Sequence, residues 1–367
     1  MDIWIYDISD DGLKTVGISE QASSFMWTER FAKPDTFSVE FPPTTENSTL
    51  FTANRIIAAE SFSGIITTIK ITDKKLTVGG TSLNGILSKR VIANYNWDDT
   101  VLTLVDKNCA LLAEEDRQLP HVIVDYTADC PGYLSSKLVH GRLSDYAEII
   151  ANSEDFGVFG RINHDTKQIE LYGRYAEDRS ADQTINKPIV FSDNYENMTD
   201  ISYNFSNASV INRVTVFSEG NYDNLNFIDL DSFEQTFELG ENGGYDLVEE
   251  FIEIDPVTSS EWRSNGAGAD LWTILNYERT LAKAQTTAQE TLSKATDNVS
   301  CSLIVGNEWR KKFAVGDIVT VEVEKYGITI NKRISEITTF ISSGKDVVDA
   351  VLGEPTKTLS DLLRKRR

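Results

Sequence analysis

Short runs in which apolar and polar residues alternate recur along most of the chain, separated by Gly, Pro, Asn and Asp. A period of two marks strands with one buried face, so the chain is expected to be mainly β. The clearest case is "KKFAVGDIVTVEVEKYGITINKRISEI", residues 311–337. There Gly316-Asp317 turns the chain into one strand, and Gly327 breaks the run before the next. The N-terminal stretches "DIWIYDI", "LKTVGI", "TFSVEFP" and "SGIITTIKIT" have the same texture. In "KKLTVGGTSLNGILSKRVI" a strand from Leu76 to Val78 runs into Gly79-Gly80, read as turn residues. A short helical turn follows with Leu83, Ile86 and Leu87 on one side. Short strands joined by turns, with a helix near the end, suit a small closed or half-open barrel.

Two stretches interrupt this pattern. From about residue 98, "VLTLVDKNCALLAEED" places Val101, Leu104, Val105, Leu111 and Leu112 near one helical face, with Asp98 or Thr100 able to cap it. "HVIVDY" is a strand. "RLSDYAEIIANSEDFGVFGRINHDTKQIELYGRY" is a helix striped by Leu143, Tyr146, Ala147, Ile149 and Ile150, then two strands around the loop "NHDTK". Residues 220–270 are acidic and loop-rich. They precede a long amphipathic helix carrying Ile274, Tyr277, Leu281, Ala284, Ala288 and Leu292 at spacings of three and four.

These shifts divide the chain into a first β-barrel at 1–97, an α+β insertion at 98–188, strands completing or linking the barrels at 189–219, a second insertion at 220–296, a second β-barrel at 297–355 and a basic tail at 356–367. The expected fold class is α+β, mainly β.

Charge excludes some functions. The 367 residues hold 57 acids against 35 Lys and Arg, a net charge of −22. Such a balance repels phosphate backbones and argues against a sequence-reading DNA binder, though it suits a surface past which DNA slides. The start, Met1-Asp2-Ile3-Trp4, has no basic region before an apolar core, and no apolar run is long enough to span a bilayer. Cys109, Cys130 and Cys301 are odd in number and widely spaced, which fits reduced, buried thiols better than a disulfide framework or a zinc site.

No motif for chemistry stands out. Asp7, Ser9, Asp11 and Gly12 mimic the start of a calcium loop, but its closing acid falls on Ile18, so a hairpin is the better reading. His121, His140 and His164 lack a second ligand at metal spacing, and His164 lies in a polar loop. Acidic pairs such as Asp98-Asp99, Glu114-Glu115 and Glu249-Glu250 carry little weight among so many acids. Trp4, Trp27, Trp97, Trp262, Trp272 and Trp309 are scattered and read as core or interface residues. No catalytic, cofactor or metal residues are expected; the notable positions are the turns Gly79, Gly80, Gly316, Asp317 and Gly327. Arg364–Arg367 is the one run of four basic residues.

Four stretches together resemble the hub proteins of siphophage tail tips, known as tail-associated or phage minor structural proteins. They are "GIITTIKITDKKLTVGGTSLNGILSKRVI"; "LSDYAEIIANSEDFGVFGRINHDTKQIELYGRYAEDRS" with its Asp178-Arg179-Ser180 element; "VFSDNYENMTDISYNFSNASVINRVTVFSEG"; and 311–337, in which Arg333-Ile334 begins the next strand and Leu352-Gly353 closes the unit. The likeness covers most of residues 60–355, and 220–270 departs from it.

The resemblance implies two small barrels, each interrupted by an insertion domain, and assembly as a homotrimer whose six barrels continue a sixfold tail tube. It further implies a place at the virion tail tip, after synthesis in the host cytoplasm. The implied partners are the distal tail protein, the tail tube and tape-measure proteins, and receptor-binding or fibre proteins. DNA would cross the lumen without specific binding. With its last residue at Arg367, the chain is expected to lack a lysin domain and to be a non-enzymatic hub. The alternatives are a carbohydrate- or receptor-binding module, a cell-wall hydrolase of a tail, and the hub of a tailocin-like injection device.

Overall fold

The first alternating segments pair as their pattern dictates. β1 (Ile3–Ser9) and β2 (Gly12–Ser19) form a hairpin around Asp10-Asp11. β3 (Ser24–Arg30), β4 (Thr36–Phe41), α1 (Thr45–Leu50), β5 (Ile56–Ala59), β6 (Phe62–Ile71) and β7 (Leu76–Ser82) follow. The strands order as β3-β4-β7-β6-β5-β1-β2. The structure is a computed structural model that describes residues 1–59, 61–96, 99–131, 141–206, 210–219, 232–239, 247–254, 280–281, 283–285, 287–288, 291–292, 296–303, 310–342 and 345–353. His140, Trp97, Trp262, Trp272, Trp309, Ile274, Tyr277 and Arg364–Arg367 therefore lie outside the described residues.

By its internal contacts the chain divides into two units: Met1–Tyr203 with Asn298–Arg367, and Asn204–Asp297. In the first unit, one face of the N-terminal sheet buries Ile3, Ile5, Phe25, Trp27, Phe37, Val39 and Phe41 in a single core. Trp27 stacks on Phe37 with ring centroids 5.1 Å apart.

Gly79 and Gly80, expected at a turn, lie inside β7 and pair on both sides, with β4 and with β6. The reason is space: a β-carbon at Gly80 would lie 1.9 Å from the carbonyl oxygen of Ile65 and 2.7 Å from the Phe37 ring. In a strand, paired glycines mark a close approach as readily as a break.

The α+β insertion packs on the other face of this sheet. After a 3-10 turn at Leu83–Lys89 come α2 (Val101–Cys109), β8 (Val122–Asp125), α3 (Leu143–Ser153), β9 (Phe156–Asn163) and β10 (Gln168–Tyr175). Thr100 caps α2, its hydroxyl accepting from the Thr103 N–H at 3.3 Å. β8 and β9 flank β10, parallel and antiparallel respectively. Leu102, Val105, Tyr146, Ile150, Phe156 and Leu171 share one core with Tyr6, Leu13, Ile56 and Ile65 of the first sheet. The sheet is thus buried on both faces where the insertion covers it.

β11 (Asp178–Arg179), β12 (Val190–Ser192) and β13 (Met198–Ser206) lead to the second unit, which holds β14 (Arg213–Glu219), β15 (Ser232–Glu238) and β16 (Glu249–Glu253). β14 lies between β15 and β16. Val214, Val216 and Ile254 pack against Ala284 and Ala288, which belong to the helical residues described between 280 and 291. Two expectations need correction here. β14, within the 189–219 strands expected to complete or link the barrels, joins this separate sheet, and the acidic region read as loop-rich contains β15 and β16. Apart from Phe251 their outward positions hold Glu and Thr, and the inward ones are few, so the hydrophobic signal of a strand is thin.

The first unit resumes with β17 (Thr296–Leu303), β18 (Ile318–Val323), β19 (Ile328–Ser342) and β20 (Lys345–Leu352). β19 is long enough to pair with β18 through Ile328–Arg333 and with β3 through Glu336–Ser342. One fourteen-stranded sheet therefore joins the N- and C-terminal strands, along the path β13-β17-β20-β19-β3 and onward to β2, with β18 and its partners β11 and β12 branching from β19. Among the described residues the path ends at β2 and at β13, and no closed ring of strands is formed.

Candidate interface surfaces

The end of the path at β2 is the first candidate surface. β2 pairs with β1 on one side only; at its other edge the Leu13 N–H donates to the Lys167 carbonyl at 2.8 Å, and beyond that contact the edge has no strand partner among the described residues. Trp4 stands directly across from Ile18, and Ala58 flanks Trp4 on the next strand. Trp4, Val16 and Ile18 are 41%, 38% and 43% exposed. The insertion covers Tyr6, Leu13 and Ile56 and stops short of Trp4, so the apolar row runs on into solvent. From Gly12 to Ser19 the strand carries one charge, Lys14, and no acid.

Where the insertion ends, a groove of about 530 Å³ opens between Trp4, Tyr6, Thr15 and Ala58 on one side and Ile162, His164 and Lys167 on the other. The Tyr6 and His164 rings are 6.4 Å apart. Burial pushes the Tyr6 hydroxyl pKa up. The groove thus has an aromatic floor and a rim that is in part cationic.

The second site is the turn into β18. Gly316 has φ +95°, and its N–H donates to the Ile334 carbonyl at 2.7 Å. A β-carbon there would lie 2.2 Å from Cδ2 of Phe31. Asp317 is 2% exposed. Its Oδ2 accepts from Ala314 N at 2.9 Å and from Arg179 Nε at 3.2 Å, and its Oδ1 lies 3.3 Å from Glu177 N and 3.5 Å from Arg174 Nη1. Arg333 donates to the Gly316 carbonyl at 2.9 Å and pairs with Asp155, while Arg174 donates to the Val315 carbonyl. Arg333 and Arg174 lie over the Phe31 ring, 5.2 and 5.8 Å from its centroid. One buried carboxylate and three arginines thus tie the insertion and β11 to the C-terminal strands. Gly327, at φ +62°, ends a 3-10 turn with nothing near its absent side chain.

The five turn positions do not form one site. Gly79 and Gly80 sit in β7, Gly316 and Asp317 at this junction, and Gly327 in open space. The sequence marks Gly316-Asp317 as a turn and carries no sign of the chemistry at this junction. In sequence Asp317 is one half of a turn pair, and its partners Glu177 and Arg179 lie more than 130 residues away.

No chemistry converges elsewhere among the described residues. Among the described residues no group of three or more metal-binding side chains is present. The His121 ring nitrogen Nε2 lies 2.6 Å from the Ser9 carbonyl, and His164 is exposed. Burial pushes the Cys109 and Cys301 thiols up to about 12, which leaves them inert as nucleophiles. No helix among the described residues is long and apolar enough to cross a membrane.

Residues 2–354 match the family described as Siphovirus ReqiPepy6 Gp37-like protein. The chain belongs to that Gp37-like family. No curated protein matches it. Among solved structures, the 43 kDa tail protein of prophage MuSo2 from Shewanella oneidensis is 12% identical, with a TM-score of 0.55 over 96% of this chain and 98% of that one. A tail protein from Neisseria meningitidis MC58 is 11% identical, with a TM-score of 0.53 over 96% of each chain. Prophage tail protein gp18 from Listeria monocytogenes EGD-e is 12% identical, with a TM-score of 0.52 over 100% and 98%. At these identities the likeness concerns the fold, and it spans nearly the whole of each chain. The Gp37-like chain is therefore a mainly β protein with the fold of phage tail proteins.

Proposed function

We propose that this Gp37-like protein is a structural hub at the tip of a phage tail. Three copies form a ring that continues and closes the tail tube, joins it to the distal tail, tape-measure and adsorption proteins, and lets DNA pass. In each copy the two strand sets on either side of the β3–β19 pairing act as two barrel-like walls. Three copies then present six such walls to a sixfold tube. The protein works by shape and carries no catalysis.

The observation that carries this reading is the open β2 edge with Trp4, Val16 and Ile18 beside it. On a chain of net charge −22, copies repel one another. A strip with exposed apolar side chains, backbone groups that have no strand partner among the described residues, and no acid is where two copies can meet at least cost. A head-to-tail contact of this kind closes on itself when the rotation is right, which fixes the copy number. The acidic balance suits the lumen as well, since a carboxylate wall releases no counterions from passing DNA and does not retain it.

The test is native mass measurement of the chain alone and with its distal tail protein. The expected complex holds three copies, and Ile18→Asp abolishes it while leaving the monomer folded. A complex with one copy, or a trimer indifferent to Ile18→Asp and Val16→Asp, would overturn the reading.

A further inference from the structure

The second unit has a sheet face opposite the one on which its described helical residues pack. β14 alternates strictly: Val214 and Val216 point into the core, and Arg213, Thr215 and Phe217 point away. The cross-strand register builds three rows on the outer face. Glu238, Arg213 and Glu249 form the first; Thr236, Thr215 and Phe251 the second; Glu234, Phe217 and Glu253 the third.

In the first row both acids share one cation, because Arg213 Nε lies 2.6 Å from Glu238 and its Nη1 3.1 Å from Glu249. The third row has the same acid-centre-acid plan with a phenylalanine at the centre. Glu234 and Glu253 are exposed and have no cationic partner among the described residues. Phe217 stacks on Phe251 with centroids 6.1 Å apart and planes at 27°, and Phe251 is 61% exposed. Two carboxylates flanking an aromatic pair complement a guanidinium: the acids supply paired acceptors, and the rings supply a π face and apolar contact.

We infer that this face holds the Leu362-Leu363-Arg364-Lys365-Arg366-Arg367 segment of a second copy of the chain. The segment contains the one run of four cations in the sequence, next to two leucines. Its arginines match Glu234 and Glu253, and its leucines match the exposed edges of Phe217 and Phe251. The contact also offsets the repulsion between acidic copies, which the apolar β2 strip only avoids. This step rests on the copies meeting, as in the proposed ring.

Two measurements test it. The first is zero-length carbodiimide cross-linking of an equal mixture of 14N- and 15N-labelled full-length chains. Lys365 is expected to form an amide with Glu234 or Glu253 in mixed-label peptides. Same-label links alone, or an assembled complex without these links, would overturn the assignment. Absence of any complex would instead count against the ring. The second is anisotropy of a labelled peptide of residues 358–367 added to full-length protein whose four C-terminal basic residues are alanine. Binding is expected to weaken about tenfold with Glu234→Gln/Glu253→Gln and a few-fold with Phe251→Ser. An equal loss with Glu114→Gln/Glu115→Gln would show attraction to overall charge and sink the inference.

Discussion

The ring of Phe31, just after β3, fills the space that a side chain at Gly316 would need, 285 positions later in sequence. Phe31 is 4% exposed and carries two guanidinium groups over its face, so it cannot swing aside. Gly316→Ala therefore meets both a clash and an unfavourable φ, and should lower stability by ~3 kcal/mol in urea unfolding. Gly327→Ala is the control. Its φ is also positive, but its surroundings are open, so it should cost only about 1 kcal/mol. Similar losses at both sites would mean that the Phe31 contact is unimportant.

Asp317 serves two backbone N–H groups and two arginines from a position 2% exposed. Asp317→Ala strands those donors and should cost ~3 kcal/mol. Asp317→Asn keeps one acceptor oxygen and should cost less. A double-mutant cycle with Arg179→Ala should show coupling above 0.5 kcal/mol, as expected for groups in one network. Additive losses would place the value of Asp317 in the turn alone.

Asp35 gives the fold a pH dependence. It sits in the β3–β4 turn, where it accepts from Trp27 Nε1 at 3.0 Å and from the Arg30 N–H at 2.9 Å. Burial, with Glu29 as a lesser influence, pushes its carboxyl up to about 7 despite those donors. The unfolded chain ionises this group near 3.8, so between about pH 4 and pH 7 the folded chain holds a proton that the unfolded chain has lost. Its contribution to stability therefore falls as pH rises through that window, by up to about 4 kcal/mol, and is flat above it. Asp35→Asn should remove this slope. The stability difference between the two proteins should change between pH 5 and pH 8, and a constant difference would refute the assignment.

Gly80→Ala tests the place of this glycine inside β7. A turn glycine with negative φ would tolerate alanine. Here the β-carbon would meet the Ile65 carbonyl at 1.9 Å, which requires β6 and β7 to part. Loss of more than 3 kcal/mol, or failure to fold, is expected by thermal unfolding.

What could be read in the sequence follows from how local each signal is. The α2 helix announces itself by the Thr100 cap and its apolar stripe, and β9 and β10 by alternation around Asn163–Lys167. Both are decided by neighbours a few residues apart. Gly79-Gly80 was misplaced because a glycine required by close packing between strands looks the same as one that bends the chain. The pairing of β3 with β19 joins residues such as Thr28 and Thr338, whose hydroxyls are 3.0 Å apart, and nothing local encodes it. For the same reason Asp317 could be seen as a turn residue but not as the acceptor for Arg174 and Arg179. The β2 edge was legible as a strand, but its lack of a second partner depends on where every other strand goes.

The length of β19 carries a cost in time. Arg30 must wait for Glu336, 306 residues later, before β3 gains its second neighbour. At about 5–20 residues per second, a ribosome needs roughly 15–60 s to deliver it. For that interval the nascent N-terminal sheet exposes a raw margin beside Phe25 and Trp27, and those rings are sealed only when almost all of the polypeptide has left the exit tunnel.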